Sequence, residues 1–163
     1  MADFVKVDDI KCLADLASEI WHEYWVEILS KEQIDYMIGK FQSEKAINNQ
    51  LKNENYIYFF IVQNGEKAGY IGMSNKNDYL FLSKLYLKKE FRHKSIGTKA
   101  FEFIKGYAKS QNYTDIVLTV NKQNENTIKA YIKWGFKIID AVVTDIGSGF
   151  VMDDYIMRYS IKK

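Results

Sequence analysis

Arg92, His93 and Lys94 run directly into Ser95, Ile96 and Gly97, and that grouping suits the holding of a phosphate or similar anion. An apolar run from Leu80 to Leu87 ends just before the basic residues, and a helical pattern opens at Ile96 and Gly97. The loop therefore joins a strand to a helix whose first N–H groups lack intrahelical partners and carry the positive end of the peptide dipole. Such a terminus attracts anions, and Gly97 lets one approach the backbone closely. The residues read as a diphosphate cradle; they also suit an ordinary strand-to-helix turn whose charges are merely solvated. The glycine-rich words of nucleoside-triphosphate loops and of dinucleotide loops are both absent.

The chain that must position this loop has 163 residues, 47% of them apolar, which suffices for one sizeable core and is short for two ordinary domains. A single domain over 1–163 is expected. Lys and Arg number 23 against 21 Asp and Glu, a net charge of +2, so no broad cationic face for nucleic acid is implied. Cys12 stands alone and forms no internal disulfide, and His22 and His93 are too far apart in sequence to suggest a metal site. No apolar run approaches the roughly 18 residues that span a bilayer, and no basic stretch precedes an apolar one at the N-terminus, so a soluble, cytoplasmic protein without membrane contact is expected.

Phe4, Val5 and Val7 predict a short first strand, followed by a helix capped at Asp8 or Asp9, with apolar positions at Ile10, Leu13, Ala14, Ala17, Trp21, Tyr24 and Ile28. Ser30 with Gln33 predicts a capping box for a second helix through Phe41, and Ser43 opens a third through Leu51. From Tyr56 the period changes to that of strands: YIYFFIVQ, the Asn64-Gly65 hairpin turn, KAGYIGMS and YLFLSKLYL make three antiparallel strands. A helix carrying Ala100, Phe101, Ile104 and Tyr107 then leads to the strand DIVLTV. Asn124 is positioned to cap a helix that Gly135 stops, and strands over Phe136–Val143 and Phe150–Tyr159 close the chain about Gly147-Ser148-Gly149.

Over essentially its whole length this sequence resembles the GNAT family of N-acetyltransferases. That family's first signature, Arg or Gln, two residues, Gly, one residue, Gly or Ala, is matched from Arg92 to Gly97, with Ser95 in place of the first glycine. The departure either crowds the closest backbone approach to a pyrophosphate or adds a hydroxyl bond to it. The second signature, Asn, six residues, Tyr, three residues, Gly-Phe, is matched by Asn124, Tyr131, Gly135 and Phe136. The resemblance implies an α/β fold with a mixed, mostly antiparallel twisted sheet flanked by helices, its fourth and fifth strands splayed to admit acetyl-CoA as co-substrate. It implies that the backbone at Leu85, Tyr86 and Leu87 pairs with the pantetheine arm, that Arg92, His93, Lys94, Ser95, Ile96, Gly97 and Thr98 surround the pyrophosphate, and that Asn124 lies near the pantetheine or the helix start. No metal enters this scheme.

In such an enzyme an amine attacks the thioester carbonyl through a tetrahedral oxyanion, and Tyr131 is implied as the proton donor to the departing thiolate. A base is harder to place. An alkyl amine of pKa about 10.4 is neutral in about one molecule in 2,500 at pH 7, a cost of roughly 4.6 kcal/mol. Some relatives use a glutamate on the fourth strand, where this chain has LFLSKLYL with Lys84 and no carboxylate. Glu23 is the expected catalytic candidate, with Asp153 and Asp154 as further carboxylates, and water in reserve.

Trp21, Tyr24 and Trp25, with His22 and Glu23 between them, suit a wall of the acceptor pocket, or simply an aromatic face buried on the sheet. The expected acceptor is the primary amine of a small molecule such as a polyamine. A peptide or protein amine is the alternative within the enzyme class, a non-catalytic CoA-binding sensor lies outside it, and a homodimer is compatible with all of them.

Overall fold

The structure is a computed structural model, and it describes residues 2–92 and 95–161. Seven strands form one sheet: β1 (Ala2–Lys6), β2 (Tyr56–Gln63), β3 (Glu66–Asn75), β4 (Leu80–Leu87), β5 (Asp115–Asn121), β6 (Lys137–Gly147) and β7 (Phe150–Ser160), in the order β1-β2-β3-β4-β5-β7-β6. Helices α1 (Ile10–Tyr24), α2 (Lys31–Phe41) and α3 (Glu44–Asn53) precede β2, α4 (Ile96–Ser110) joins β4 to β5, and α5 (Glu125–Trp134) joins β5 to β6.

Helices cover both faces, so the central strands are apolar on both sides rather than alternating with polar residues. On β2, Tyr58 and Phe60 join Leu13, Ile20 and Trp21 of α1, whereas Ile61 on the other face joins Ile104 and Phe101 of α4. The Asn64-Gly65 turn has positive φ at both residues, 53° and 78°, the geometry that lets two residues join twisted strands.

Local signals set the helix starts. Asp9 accepts from the Cys12 N–H at 3.0 Å, Ser30 from Gln33 at 3.1 Å and Ser43 from Ala46 at 3.1 Å. The box at Ser30 is only half formed, because the Gln33 amide donates to the Val151 carbonyl of β7 instead. Helix α1 stops at Tyr24, short of Ile28, because Trp25 turns inward onto Tyr24 and Tyr86 and the chain must reverse into α2. Gly135, at φ 108°, closes α5 in the left-handed conformation, with the Phe136 N–H reaching the Tyr131 carbonyl at 3.0 Å.

The arrangement that matters for function lies at the sheet's centre. All neighbouring strands are antiparallel except β4 and β5, which run parallel and pair only at Leu80 with Ile116 and Phe81 with Val117. Beyond Phe81 the two strands part. β4 stays on β3 and β5 stays on β7, leaving a wedge between them whose β4 side has an open edge.

Candidate functional site

A cleft of about 320 Å³ opens at this wedge, walled by Trp21, Tyr24 and Trp25 of α1 and its end, by β4 from Phe81 to Tyr86, by Asn124, Thr127 and Tyr131, and by Asp154 of β7. Antiparallel alternation decides which backbone groups of β4 face the wedge. The Lys88 N–H donates to the Ala68 carbonyl at 2.8 Å, and Tyr86 stands opposite Tyr70, so the N–H and C=O of Tyr86 are directed to β3. This corrects the expectation that the Tyr86 backbone pairs with a ligand; those of Leu85 and Leu87 point to the open edge. The Leu87 carbonyl is already engaged by Arg92 Nε at 3.0 Å. Tyr86 instead contributes its ring, which packs among Trp21, Tyr24, Trp25 and Tyr70.

Ser95 occupies the position before α4 with φ 65°, a left-handed conformation that costs a serine about 1–2 kcal/mol and a glycine almost nothing. The glycine usual at this position is thus explained by backbone geometry. Ser95 makes no side-chain cap bond, so the first N–H groups of α4, at Ile96, Gly97 and Thr98, have no hydroxyl partner from it. Among the described residues a Cβ at Gly97 would meet only the Trp134 ring, at 3.7 Å, an ordinary contact. His93 and Lys94 lie outside the described residues. The Arg92 guanidinium stacks on the Tyr24 ring at 5.1 Å and lies 4.0 Å from the Glu23 carboxylate.

Glu23 does not line the cleft. Its carboxylate accepts from the Lys89 N–H at 2.8 Å, holding the short turn after β4, and faces Arg92. Its place outside the cleft lining, with the carboxylate on the Lys89 N–H, does not support the expectation that it serves as a base. His22 likewise points away, with Nε2 2.6 Å from Asp35 and Nδ1 2.8 Å from the Ser18 carbonyl. Trp21 is both buried and cleft-lining, and its indole donates to Tyr70 Oη at 2.7 Å.

Asn124 heads α5 but does not cap it. Its amide reaches Tyr24 Oη instead, and Tyr24 Oη lies 2.7 Å from Thr127 Oγ1, so the start of α5 is tied to α1. Tyr131 is 8% exposed and borders the cleft; burial, and then the neighbouring Tyr24, push its pKa well above the ordinary tyrosine value. Asp154 is 4% exposed and faces the same cleft from β7. Burial first, and the adjacent Asp153 second, raise it from 3.8 to about 6. Asp153 is drawn off by Lys122, at 3.1 Å. Among the described residues no helix is long and apolar enough to cross a membrane.

A family model described as acetyltransferase (GNAT) family matches residues 13–136. The spermidine N(1)-acetyltransferase of Thermoplasma acidophilum is 28% identical over 153 residues, covering 91% of this chain and 92% of that protein. The crystal structure of the PaiA N-acetyltransferase from Thermoplasma acidophilum in complex with coenzyme A is similar with a TM-score of 0.81 at 25% identity, covering 98% of this chain and 99% of that one. The ribosomal-protein-S18-alanine N-acetyltransferase from Escherichia coli shares the fold, with a TM-score of 0.71 at 18% identity, covering 100% of this chain and 96% of that one. With three quarters of its length matched by the family model and the splayed β4–β5 pair at its centre, this chain belongs to the GNAT acetyltransferase family.

Proposed function

We propose that this acetyltransferase moves the acetyl group of acetyl-CoA onto the primary amine of a small molecule, inside the cleft between β4 and β5. The observation that carries the reading is that one cleft, opened by strand divergence after Phe81, is bordered by both a phenol held protonated, Tyr131, and a carboxylate of raised basicity, Asp154. The name of the Thermoplasma acidophilum relative supports a small amine, with polyamines in the class to be tried.

The residues present fit the coenzyme. The open edge of β4 offers the backbone groups of Leu85 and the Leu87 N–H to an extended amide-bearing arm, and the start of α4 offers the amides of Ile96, Gly97 and Thr98 to a diphosphate. Ser95 sets the turn into that helix, and Gly97 carries no side chain beside the helix's first amides. When bound, acetyl-CoA supplies an acyl group activated as a thioester.

Asp154 receives the proton of the acceptor ammonium. With a pKa of about 6 it is ionised at neutral pH yet a stronger base than an ordinary carboxylate. Tyr131 keeps its proton throughout the neutral range, gives it to the sulfur as the thiolate leaves, and is reprotonated by the second proton that the attacking nitrogen sheds as the amide forms. Arg92 holds the end of β4 through Leu87 and packs on Tyr24, and Asn124 fixes Tyr24 in turn, so their work is positioning. Trp25, Tyr86 and Met37 give the cleft apolar walls that limit water.

Thiol release from acetyl-CoA tests the reading with a panel of polyamines, amino acids and peptides. Acceptor-dependent thiol together with an acetylated small amine is expected; tight CoA binding with no acceptor-dependent thiol would instead mark a CoA-binding module.

A further inference from the structure

The cleft contains a second charged group that the acetyl-transfer chemistry does not use. Opposite β3 the register of β4 passes from Lys84 facing Gly72 directly to Leu82 facing Met73, so Ser83 is the extra residue of a β-bulge. The bulge gives Ser83 and Lys84 to the face covered by α1, α2 and α3. Ser83 Oγ lies 2.8 Å from Tyr56 Oη, and Lys84 Nζ donates to Ser83 Oγ at 2.6 Å. Gly72 makes this possible, because a Cβ there would lie 3.1 Å from Lys84 Cγ and 2.6 Å from the Tyr58 ring.

Lys84 takes part in none of the ion pairs among the described residues. Burial draws its pKa down to about 8, against a weaker opposing pull from Glu54. Among the described residues that line the cleft, Lys84 and Asp154 alone carry a Lys, Arg, Asp or Glu side chain. A polycation needs several carboxylates. Here one carboxylate meets the reacting amine, and any second ammonium reaching β4 meets a desolvated lysine.

We propose that Lys84 selects the far end of the acceptor, so that the acceptor is a primary amine carrying a carboxylate, its amine at Asp154 and its carboxylate on Lys84. The carboxylate is a counter-ion that Lys84 lacks among the described residues, and its arrival offsets the burial that makes the ammonium costly. The inference rests on the acetyl-transfer reading and narrows it, separating this chain's acceptor from the polyamine named for its Thermoplasma acidophilum relative.

The test uses acceptors of matched length, ε-aminohexanoate, cadaverine and hexylamine, with thiol release giving KM and calorimetry on the CoA-loaded protein giving Kd. The wild type is expected to favour the amino carboxylate over the diamine by at least about tenfold in both quantities. Lys84→Met should collapse that ratio to near one and Lys84→Glu should invert it, with an unchanged CoA Kd reporting an intact fold; Lys84→Gln replaces the methionine variant if that fails to fold. A wild-type preference for cadaverine, or a ratio that Lys84→Met leaves unmoved, overturns the proposal. If no acceptor releases thiol, the transfer reading fails separately, and the ratio of acceptor Kd values still decides the role of Lys84.

Discussion

Tyr24 Oη and Thr127 Oγ1 stand 2.7 Å apart, joining the end of α1 to the first turn of α5 across 103 residues of sequence. The same hydroxyl takes the Asn124 amide, and the ring beneath it carries Arg92 on one side and packs against Tyr86 and Trp25. One phenol thus ties the α1 wall of the cleft to the helix that bears Tyr131. Tyr24→Phe keeps the ring and removes both bonds, and it is expected to destabilise the fold by about 1–3 kcal/mol. Denaturant midpoints should show Tyr24→Phe and Thr127→Val to be non-additive; additive losses would mean that the contact is not shared.

Tyr131→Phe removes the proposed proton donor and leaves the ring's packing on Trp134 and Phe136. Turnover should fall by about 10²–10⁴-fold while CoA affinity scarcely moves. An unaltered kcat would take Tyr131 out of the mechanism.

Asp154 links activity to pH and also to stability. The wild-type rate should rise with pH through about 6, as the carboxylate ionises, and Asp154→Asn should abolish that limb with most of the activity. Its pKa is raised in the fold, so its contribution to stability is fully present below the ordinary carboxylate pKa and is lost as pH rises through about 6. Asp154→Asn is therefore expected to lose most of its activity yet to be more stable at pH 8, by about 1 kcal/mol once solvent screening is allowed for. A destabilised asparagine variant would show that ionised Asp154 has a favourable partner.

The α4 terminus separates backbone strain from ligand approach. Ser95→Gly should stabilise the protein by about 1 kcal/mol by relieving the positive φ, without loss of CoA affinity. Gly97→Ala, whose Cβ would meet the Trp134 ring at an ordinary 3.7 Å, should weaken CoA binding severalfold with little change in melting temperature. Equal CoA affinity in both variants would move the diphosphate elsewhere.

Much of this was legible in the sequence because it depends on local chemistry. Asp9, Ser30 and Ser43 cap where their side-chain oxygens reach the third residue on, Asn64-Gly65 turns where φ must be positive, and Gly135 ends α5 for the same reason. The splay of β4 and β5 followed from the resemblance carried by Arg92–Gly97 and Asn124–Phe136. What escaped depends on long-range placement. Asn124 has the residue type of a cap, but Tyr24 competes for its amide; Glu23 looked like a cleft residue until the Lys89 N–H claimed it. The bulge at Ser83 has no one-residue signal, since it lies in the register of β4 on β3, although Gly72 beside it offered a hint of close approach. Asp154 differs from Asp153 only in which face of β7 it takes, and pairing with Asn121 decides that.

The central claim is that coenzyme A lies along the open edge of β4 with its diphosphate on the start of α4. Residue-resolved amide hydrogen exchange, with and without CoA, tests it most directly. Slowed exchange is expected at Leu85, Leu87, Gly97 and Thr98, with the Tyr86 amide, already paired to β3, little changed. Saturating CoA that leaves those four amides unaffected would contradict it.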